Sequence, residues 1–400
     1  MIQGKFIIIK MFLNNLCKIL LKTFFCEIKK TKFAIKMKKK FRCIGIMSGT
    51  SLDGLDLALC EFYSEHSGWS FKILASRTVE YEPHWRQFLQ NSMTLTGKEL
   101  IELDINYGRW IALQIDNFLH SEGFDANQID VIGSHGHTVF HAPEKSISLQ
   151  IGHGAVISAM TNIDVVTSFR SMDVAMGGQG APLVPVGDKL LFGQYDACLN
   201  LGGFANISFD LDGKRIGFDI CPVNIILNYI AVKNGYNFDK DGKLATDGEI
   251  IQDLFYELEN VNFYSLDPPK SLSKEWLEKN VLPLVERYLI DYPTNDIMET
   301  IYRHIVSQIK KITCKYHLSS VMVTGGGIKN NYLRTLLQSV DNVEFIVPER
   351  QLVDFKEALV FAFLALLNKL NQPNVWSSVT GSICDHIAGA YFKAPKRVLE

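Results

Sequence analysis

The chain has 400 residues, 47% hydrophobic and 21% charged, which is room for two substantial globular domains of ordinary composition. Its formal net charge of −2 hides an asymmetry. Residues 1–40 hold eleven lysines against the single acid Glu27, which leaves 30 basic and 42 acidic side chains beyond them, a net of −12. An acidic body argues against nucleic-acid binding through a general basic surface.

Residues 1–36 read as a basic extension foreign to the rest. Lys10, Lys18 and Lys22 interrupt its apolar stretch, so it is a poor membrane span, and it lacks a small-residue cleavage pattern. A basic amphipathic surface helix and an organelle presequence stay open. The preferred reading starts the natural protein at Met37, with MKKK leading directly into a strand.

From there, strands are predicted over 41–47, 55–62 and 71–81, followed by helical periodicity over 98–120. A strand at 131–133, a helix near 154–160 and a strand at 164–167 complete the first half. The second half repeats that order, with strands over 195–201, 205–211 and 215–219 and a helix over 223–232. After a helical insertion across 235–292 come a strand at 321–324, a helix at 330–338, a strand at 343–347 closed by Pro348, and a helix at 354–370. Three antiparallel strands followed by alternating helices and strands make a mixed sheet covered by helices. Two such α/β units leave a cleft between them, the default place for a ligand. The expected lobes are 37–170 with 380–400, and 171–379. The eight cysteines form no CxxC pair, and several sit in apolar runs, which suits free thiols in a reducing cytoplasm.

Each half carries a polar glycine loop at its first hairpin. The first comprises Gly49, Thr50, Ser51, Leu52, Asp53, Gly54, Leu55 and Asp56, and the second includes Asn200, Gly202 and Gly203. Amides and hydroxyls at such tips cradle phosphate oxygens. Asp53 or Asp56 is placed to hold a magnesium ion, directly or through water. The first loop lacks the lysine and helix of a Walker P-loop. A third cluster, Gly325, Gly326 and Gly327, ends a strand and opens a helix, a geometry that favours nucleotides. GxGxxG is not matched, which disfavours a nicotinamide enzyme.

The segment FRSMDVAMGGQGAPLVP at 169–185 sets Asp173 just ahead of three glycines in four positions, with Arg170 upstream. An acid beside a turn that a ligand can approach closely is a candidate general base; an acidic loop ahead of a helix is the plainer alternative. The run SHGHTVFH at 134–141 concentrates His135, His137 and His141. HxH is a metal-ligand spacing, but no nearby acid or cysteine completes a set, so a polar substrate wall is preferred to a histidine-metal hydrolase.

Together these motifs resemble the anhydro-N-acetylmuramic acid kinases from about residue 41 to near the C-terminus. The resemblance rests on IGIMSGTSLDGLD at 44–56, GSHGHTVFHAP at 133–143, LQIGHGAVIS at 149–158, the Asp173 segment, NLGGFANIS at 200–208, DPPKS at 267–271, VTGGGIKN at 323–330 and SVTGS at 378–382. It implies two actin-like, ribonuclease H-like domains with ATP and Mg2+ in the cleft between them, in a cytoplasmic homodimer. It implies hydrolytic opening of the 1,6-anhydro ring with phosphorylation of O6, giving N-acetylmuramate 6-phosphate in peptidoglycan recycling. Asp173 would be the base for the water, and the first two loops would hold the phosphates. Gly325–Gly327 would lie near the adenosine, and His135, His137, Arg170 and Gln179 would meet the sugar. One departure stands out: where the family has GFDTGPGN, this chain has GFDICPVN, so that Ile220, Cys221 and Val223 replace a hydroxyl and two glycines. Bulk there is expected to weaken ATP binding or closure, and the alternative it raises is a sugar- or nucleotide-binding protein with weakened or lost catalysis. The stretch around 296–300 is also altered.

Overall fold

The computed structural model describes residues 40–49, 52–65 and 68–395; the basic extension at 1–36, Thr50 and Ser51 lie outside them. Its strands are β1 (Lys40–Ser48), β2 (Gly54–Glu65), β3 (Gly68–Glu80), β4 (Val131–Ser134), β5 (His137–Ala142), β6 (Ile147–Ile151), β7 (Val165–Thr167), β8 (Ala197–Leu201), β9 (Phe204–Leu211), β10 (Lys214–Pro222), β11 (Ser320–Thr324), β12 (Glu344–Ile346) and β13 (Ala390–Phe392). They form two main sheets, ordered β13-β7-β4-β1-β2-β3 and β10-β9-β8-β11-β12. Each sheet has three antiparallel strands, then two parallel ones added beside the first of them. The same order twice is the duplicated actin-like architecture. β13 extends the first sheet by pairing antiparallel with β7.

The period-2 pattern sorts residues into layers. Ile44 and Ile46 of β1 face the helices Gly97–Ser121 and Gly154–Thr161, whereas Phe41 and Cys43 face inward, towards the second sheet. Val321 and Val323 of β11 face the outer helices of the second sheet, and Met322 faces inward. Parallel strands covered on both faces read as continuous apolar runs for this reason. The helix Thr294–Lys315 lies in the outer layer of the second sheet, where Ile301, Ile305 and Ile309 are buried. The long helix over Gly97–Ser121 begins with a capping box between Thr96 and Glu99.

The middle layer holds the helices Val184–Leu191 and Arg350–Lys369. The second is apolar on nearly all sides, from Ala358 to Leu367, the pattern of a fully buried helix. Chain position counts it with the second lobe, yet it packs closely on β1 and β4. There Gly45 and Gly133 sit side by side, and a Cβ on either would strike the backbone of Ala358 or Phe361. Glycine at both positions is what lets the helix, and the acids on its first turns, come so near the sheet.

The hairpin β5–β6 was not foreseen: β5 is polar and histidine-rich, and the alternation of Ile147, Leu149 and Ile151 in β6 is only five residues long. The insertion across 235–292 includes the helices Gln252–Glu259, Lys274–Asn280 and Leu282–Asp291. It is tied to the Thr294–Lys315 helix through Glu259, which accepts from Ser307 at 3.1 Å, Gln308 at 2.9 Å and Lys311, and pairs with His304. Among the described residues no helix is long and apolar enough to cross a membrane.

Candidate active site

In both sheets the glycine loops leave the carboxyl ends of neighbouring parallel strands, where open α/β sheets bind ligands. β1 and β4 are paired through Ile46 and Ser134, so the hairpin loop that begins at Gly49 and the histidine segment diverge from adjacent strand ends. β8 and β11 are paired through Asn200 and Thr324, which brings the second and third glycine loops together. A Cβ on Gly325 would strike the Asn200 Oδ1 and the Leu201 carbonyl. Gly325 also has φ of +90°, a conformation that glycine adopts without cost. Gly202 and Gly203 offer their carbonyls to the amides of Asn224 and Val223 at 3.2 and 2.8 Å, which seats this loop on the N-terminus of the helix Asn224–Lys233.

Asp173 lies in the short helix Ser171–Ala175 and is fully buried. Its Oδ2 accepts from the Gly180 amide at 2.6 Å and its Oδ1 from the Thr380 hydroxyl at 2.6 Å. Gly177 and Gly180 have positive φ, and a Cβ on Gly178 would collide with the carboxylate itself. The glycine run is therefore wrapped around the acid, and its backbone is the acid's wall. Gln179 is exposed, with its backbone amide donating to the Thr380 carbonyl at 2.9 Å.

Arg170 fixes the other side. Its Nη1 donates to the Gly180 carbonyl at 2.6 Å, and its Nη2 and Nε donate to His135 Nε2 at 2.8 and 3.2 Å. His135 Nδ1 meets the Gly136 carbonyl at 2.8 Å, and a carbonyl only accepts, so the proton sits on Nδ1 and Nε2 is the acceptor. Burial, reinforced by the Arg170 charge, holds this imidazole well below the ordinary histidine range. Both ring nitrogens are engaged, which leaves none for a metal. Burial also draws the Arg170 guanidinium down to about 10, opposed by Glu357 and Asp173, so it stays charged at neutral pH. His141 reaches Gly180 from the β5–β6 hairpin, with its Nδ1 3.1 Å from Ser148 Oγ. His137 is buried in a different direction, bonded to the Leu89 backbone. The structure thus brings Arg170, His135 and the Gln179 backbone to Asp173, and turns His137 aside.

The first hairpin is joined to this centre by the helix Arg350–Lys369. Burial pushes the Asp56 carboxyl up from its ordinary value, the Thr78 hydroxyl at 2.5 Å opposes that, and Asp354 and Lys329 act on it electrostatically. Lys329, just past the third glycine loop, pairs with Asp354 at 2.5 Å. Glu357, one turn on, is also raised by burial; Lys356 and Arg170 pull it down, and Asp56 pushes it up. Charge coupling therefore runs from Asp173 through Arg170 and Glu357 to Asp56. Beneath it Lys356 and Asp188 form a buried ion pair at 2.7 Å, and Asp188 also accepts from Ser208 at 2.5 Å, which ties the middle layer to the second sheet.

Sequence reasoning missed Glu357, Lys329 and Asp354 as site residues and gave Thr380 no role. Thr380 lies within the SVTGS motif, and Glu357 is the last acid before the apolar run that begins at Ala358; both signals were present. Ile220, Cys221 and Val223 are almost wholly buried in the outer core of the second sheet, and Ile220 sits at a bulge of β10 against β9. Their side chains pack in that core, while the Val223 amide stays bonded to the Gly203 carbonyl of the second glycine loop.

A sugar-kinase fold with glycine loops at both sets of strand ends is the class that these features define. The family model described as anhydro-N-acetylmuramic acid kinase matches residues 41–394. Curated proteins of that name are similar over most of their length. The one from Sulfurimonas denitrificans is 33% identical over 88% of this chain and 99% of its own. That from Shewanella baltica is 35% identical over 88% and 98%. Among solved structures there is a distant likeness to the (R)-2-hydroxyglutaryl-CoA dehydratase component A of Acidaminococcus fermentans, with a TM-score of 0.43 and 11% identity over 81% of this chain and 97% of that one. The chain belongs to the anhydro-N-acetylmuramic acid kinase family, and it is a kinase.

Proposed function

We propose that the protein uses ATP to open the 1,6-anhydro ring of anhydro-N-acetylmuramate with water and to phosphorylate O6, giving N-acetylmuramate 6-phosphate and ADP in peptidoglycan recycling. The observation that carries this reading is the Asp173 carboxylate, fully buried and aimed by the Gly180 amide and the Thr380 hydroxyl. An ordinary sugar kinase spends its acid on a substrate hydroxyl. In an anhydro sugar O6 has no proton, so the acid is free to activate water at the anomeric carbon through an oxocarbenium-like state. Phosphoryl transfer itself needs positioning and charge neutralisation. Residues Gly49–Asp56, with Asn200, Gly202 and Gly203, supply amides and hydroxyls for the phosphates, and Gly325–Gly327 the adenosine side. Arg170 and His135 orient the sugar. Asp53 and Asp56 are the acids that would hold Mg2+, whose charge offsets that on the phosphates. The same reading places the enzyme in the cytoplasm as a homodimer.

The test is ADP release from ATP, magnesium and anhydro-N-acetylmuramate, with mass spectrometry of the sugar formed in water enriched in heavy oxygen. A 6-phosphosugar labelled at C1 alone is expected. Absence of turnover by folded protein, or label in the phosphate, overturns the reading.

A further inference from the structure

His386 lies far from Asp173 in the chain and belongs to the C-terminal segment. Its backbone is pinned against Val375, its amide donating to the Val375 carbonyl at 3.0 Å. Its side chain is only 8% exposed, and its Nε2 stands 3.7 Å from Asp173 Oδ1. That Nε2 is buried and has no hydrogen-bond partner. Nδ1 lies 3.1 Å from the Cys384 carbonyl. A carbonyl only accepts, so Nδ1 carries the proton and Nε2 presents a lone pair to the carboxylate. Two acceptors that face each other stand off beyond hydrogen-bond distance, and one proton added to the pair turns the gap into a charge-assisted bond. An unsatisfied buried nitrogen is costly unless something it does requires it.

We propose that His386 is a positioning residue that takes from Asp173 the proton that Asp173 removes from water. The inference rests on the kinase reading above. As the water O–H bond breaks, its electron pair forms the new bond to C1. The C1–O6 bond leaves its pair on O6, and that pair takes the phosphoryl group as ADP departs with the pair of the broken bond. The proton passes to Asp173 Oδ1 and on to His386 Nε2, so Asp173 is again a carboxylate when the sugar leaves. The charged and titratable groups around the pair are few. Arg170 acts on Asp173 from the far side, and the Thr380 hydroxyl is bonded to Oδ1. Asp385 of the same loop is occupied by the Ser377 amide and hydroxyl, both at 2.8 Å, and the Cys384 thiol is exposed.

The relay requires that one proton can bridge Asp173 Oδ1 and His386 Nε2. Two measurements test this. In the first, the His386 ring nitrogens are followed by NMR in the wild type and in Asp173→Asn. The Nε2 resonance should differ clearly between the two, because Asp173 Oδ1 lies 3.7 Å from it. Indistinguishable Nε2 resonances overturn the pairing, whatever the protein catalyses. The second is the pH profile of His386→Gln, whose amide fills similar space but takes no proton. kcat should fall about tenfold or more with KM unchanged. The acid limb of kcat/KM should move to lower pH, since no imidazole then shares the proton. A profile that is lower but unmoved reduces His386 to packing and overturns the relay. If the wild type makes no phosphosugar while the NMR coupling holds, the pairing stands and the relay falls with the kinase reading.

Discussion

The loop after Asp173 and the strand end at Ile220–Val223 are two glycine-marked stretches in the family pattern, and this chain has treated them in opposite ways. Around Asp173 it keeps Gly177, Gly178 and Gly180, because their backbone touches the carboxylate and leaves no space for a Cβ. At 220–223 it replaces a hydroxyl and two glycines with larger apolar groups, and these are absorbed by the outer core of the second sheet. A glycine whose backbone walls a buried carboxylate cannot take a Cβ without moving it. One that borders a hydrophobic layer can be traded for side-chain burial.

The largest expected effect is at Asp173. Asp173→Asn should lower kcat by about 10²- to 10⁴-fold while isothermal titration shows ATP affinity nearly unchanged. Turnover within tenfold of wild type would remove Asp173 from the chemistry. Next is Gly178→Ala, whose methyl must displace the carboxylate. A loss of about a hundredfold in kcat with little change in melting temperature is expected, as for misplacement by about an ångström. An equal loss in Gly177→Ala, where a Cβ meets nothing but φ is +78°, would show that the loop's backbone conformation, and not the wall, governs the carboxylate.

On the other side of the comparison, Ile220→Thr and Cys221→Gly should each cost about 1–3 kcal/mol in chemical denaturation, through a buried hydroxyl and a lost buried side chain. Steady-state kcat should stay within about twofold, since neither side chain borders Asp173. A clear rise in kcat would instead mean that bulk at these positions restrains the enzyme. Smallest is Asp219→Asn. Asp219 sits between these residues and the DPPKS loop, accepts from the Leu272 amide at 2.8 Å, and is pushed by burial from near 3.8 up to about 6. A folded-state value above the unfolded one gives stability that is complete below about pH 4 and lost as pH rises through about 6. The asparagine variant should therefore be about 1–2 kcal/mol more stable than wild type at pH 7.5, with the difference vanishing towards pH 4. Matching denaturation curves at pH 7.5 would show that this carboxylate carries no burial penalty.

Much of the fold was legible because its signals are local. The strands announce themselves by apolar runs, the turns by glycine, and the long helices by periodicity. Asp173 and its glycines were legible for the same reason, lying within eight residues of one another. The β5–β6 hairpin was not, since β5 is polar and the alternation in β6 spans only five residues. Nor were Thr380, Glu357 and His386 as neighbours of Asp173 and Arg170, since nothing in residues 170–180 points to residues 357, 380 or 386.

By itself, then, the sequence determined most strands of the two main sheets, where the backbone is bare and which acid stands beside a glycine turn. All of these depend on side-chain size and spacing within a few residues. Only the tertiary structure decided what faces what. The helix Arg350–Lys369 meets the first sheet over two glycines, His135 spends both nitrogens on Arg170 and Gly136, and Ile220 points into a core. Those outcomes follow from packing between elements distant in the chain, where shape and unsatisfied hydrogen bonds select partners that no local spacing encodes.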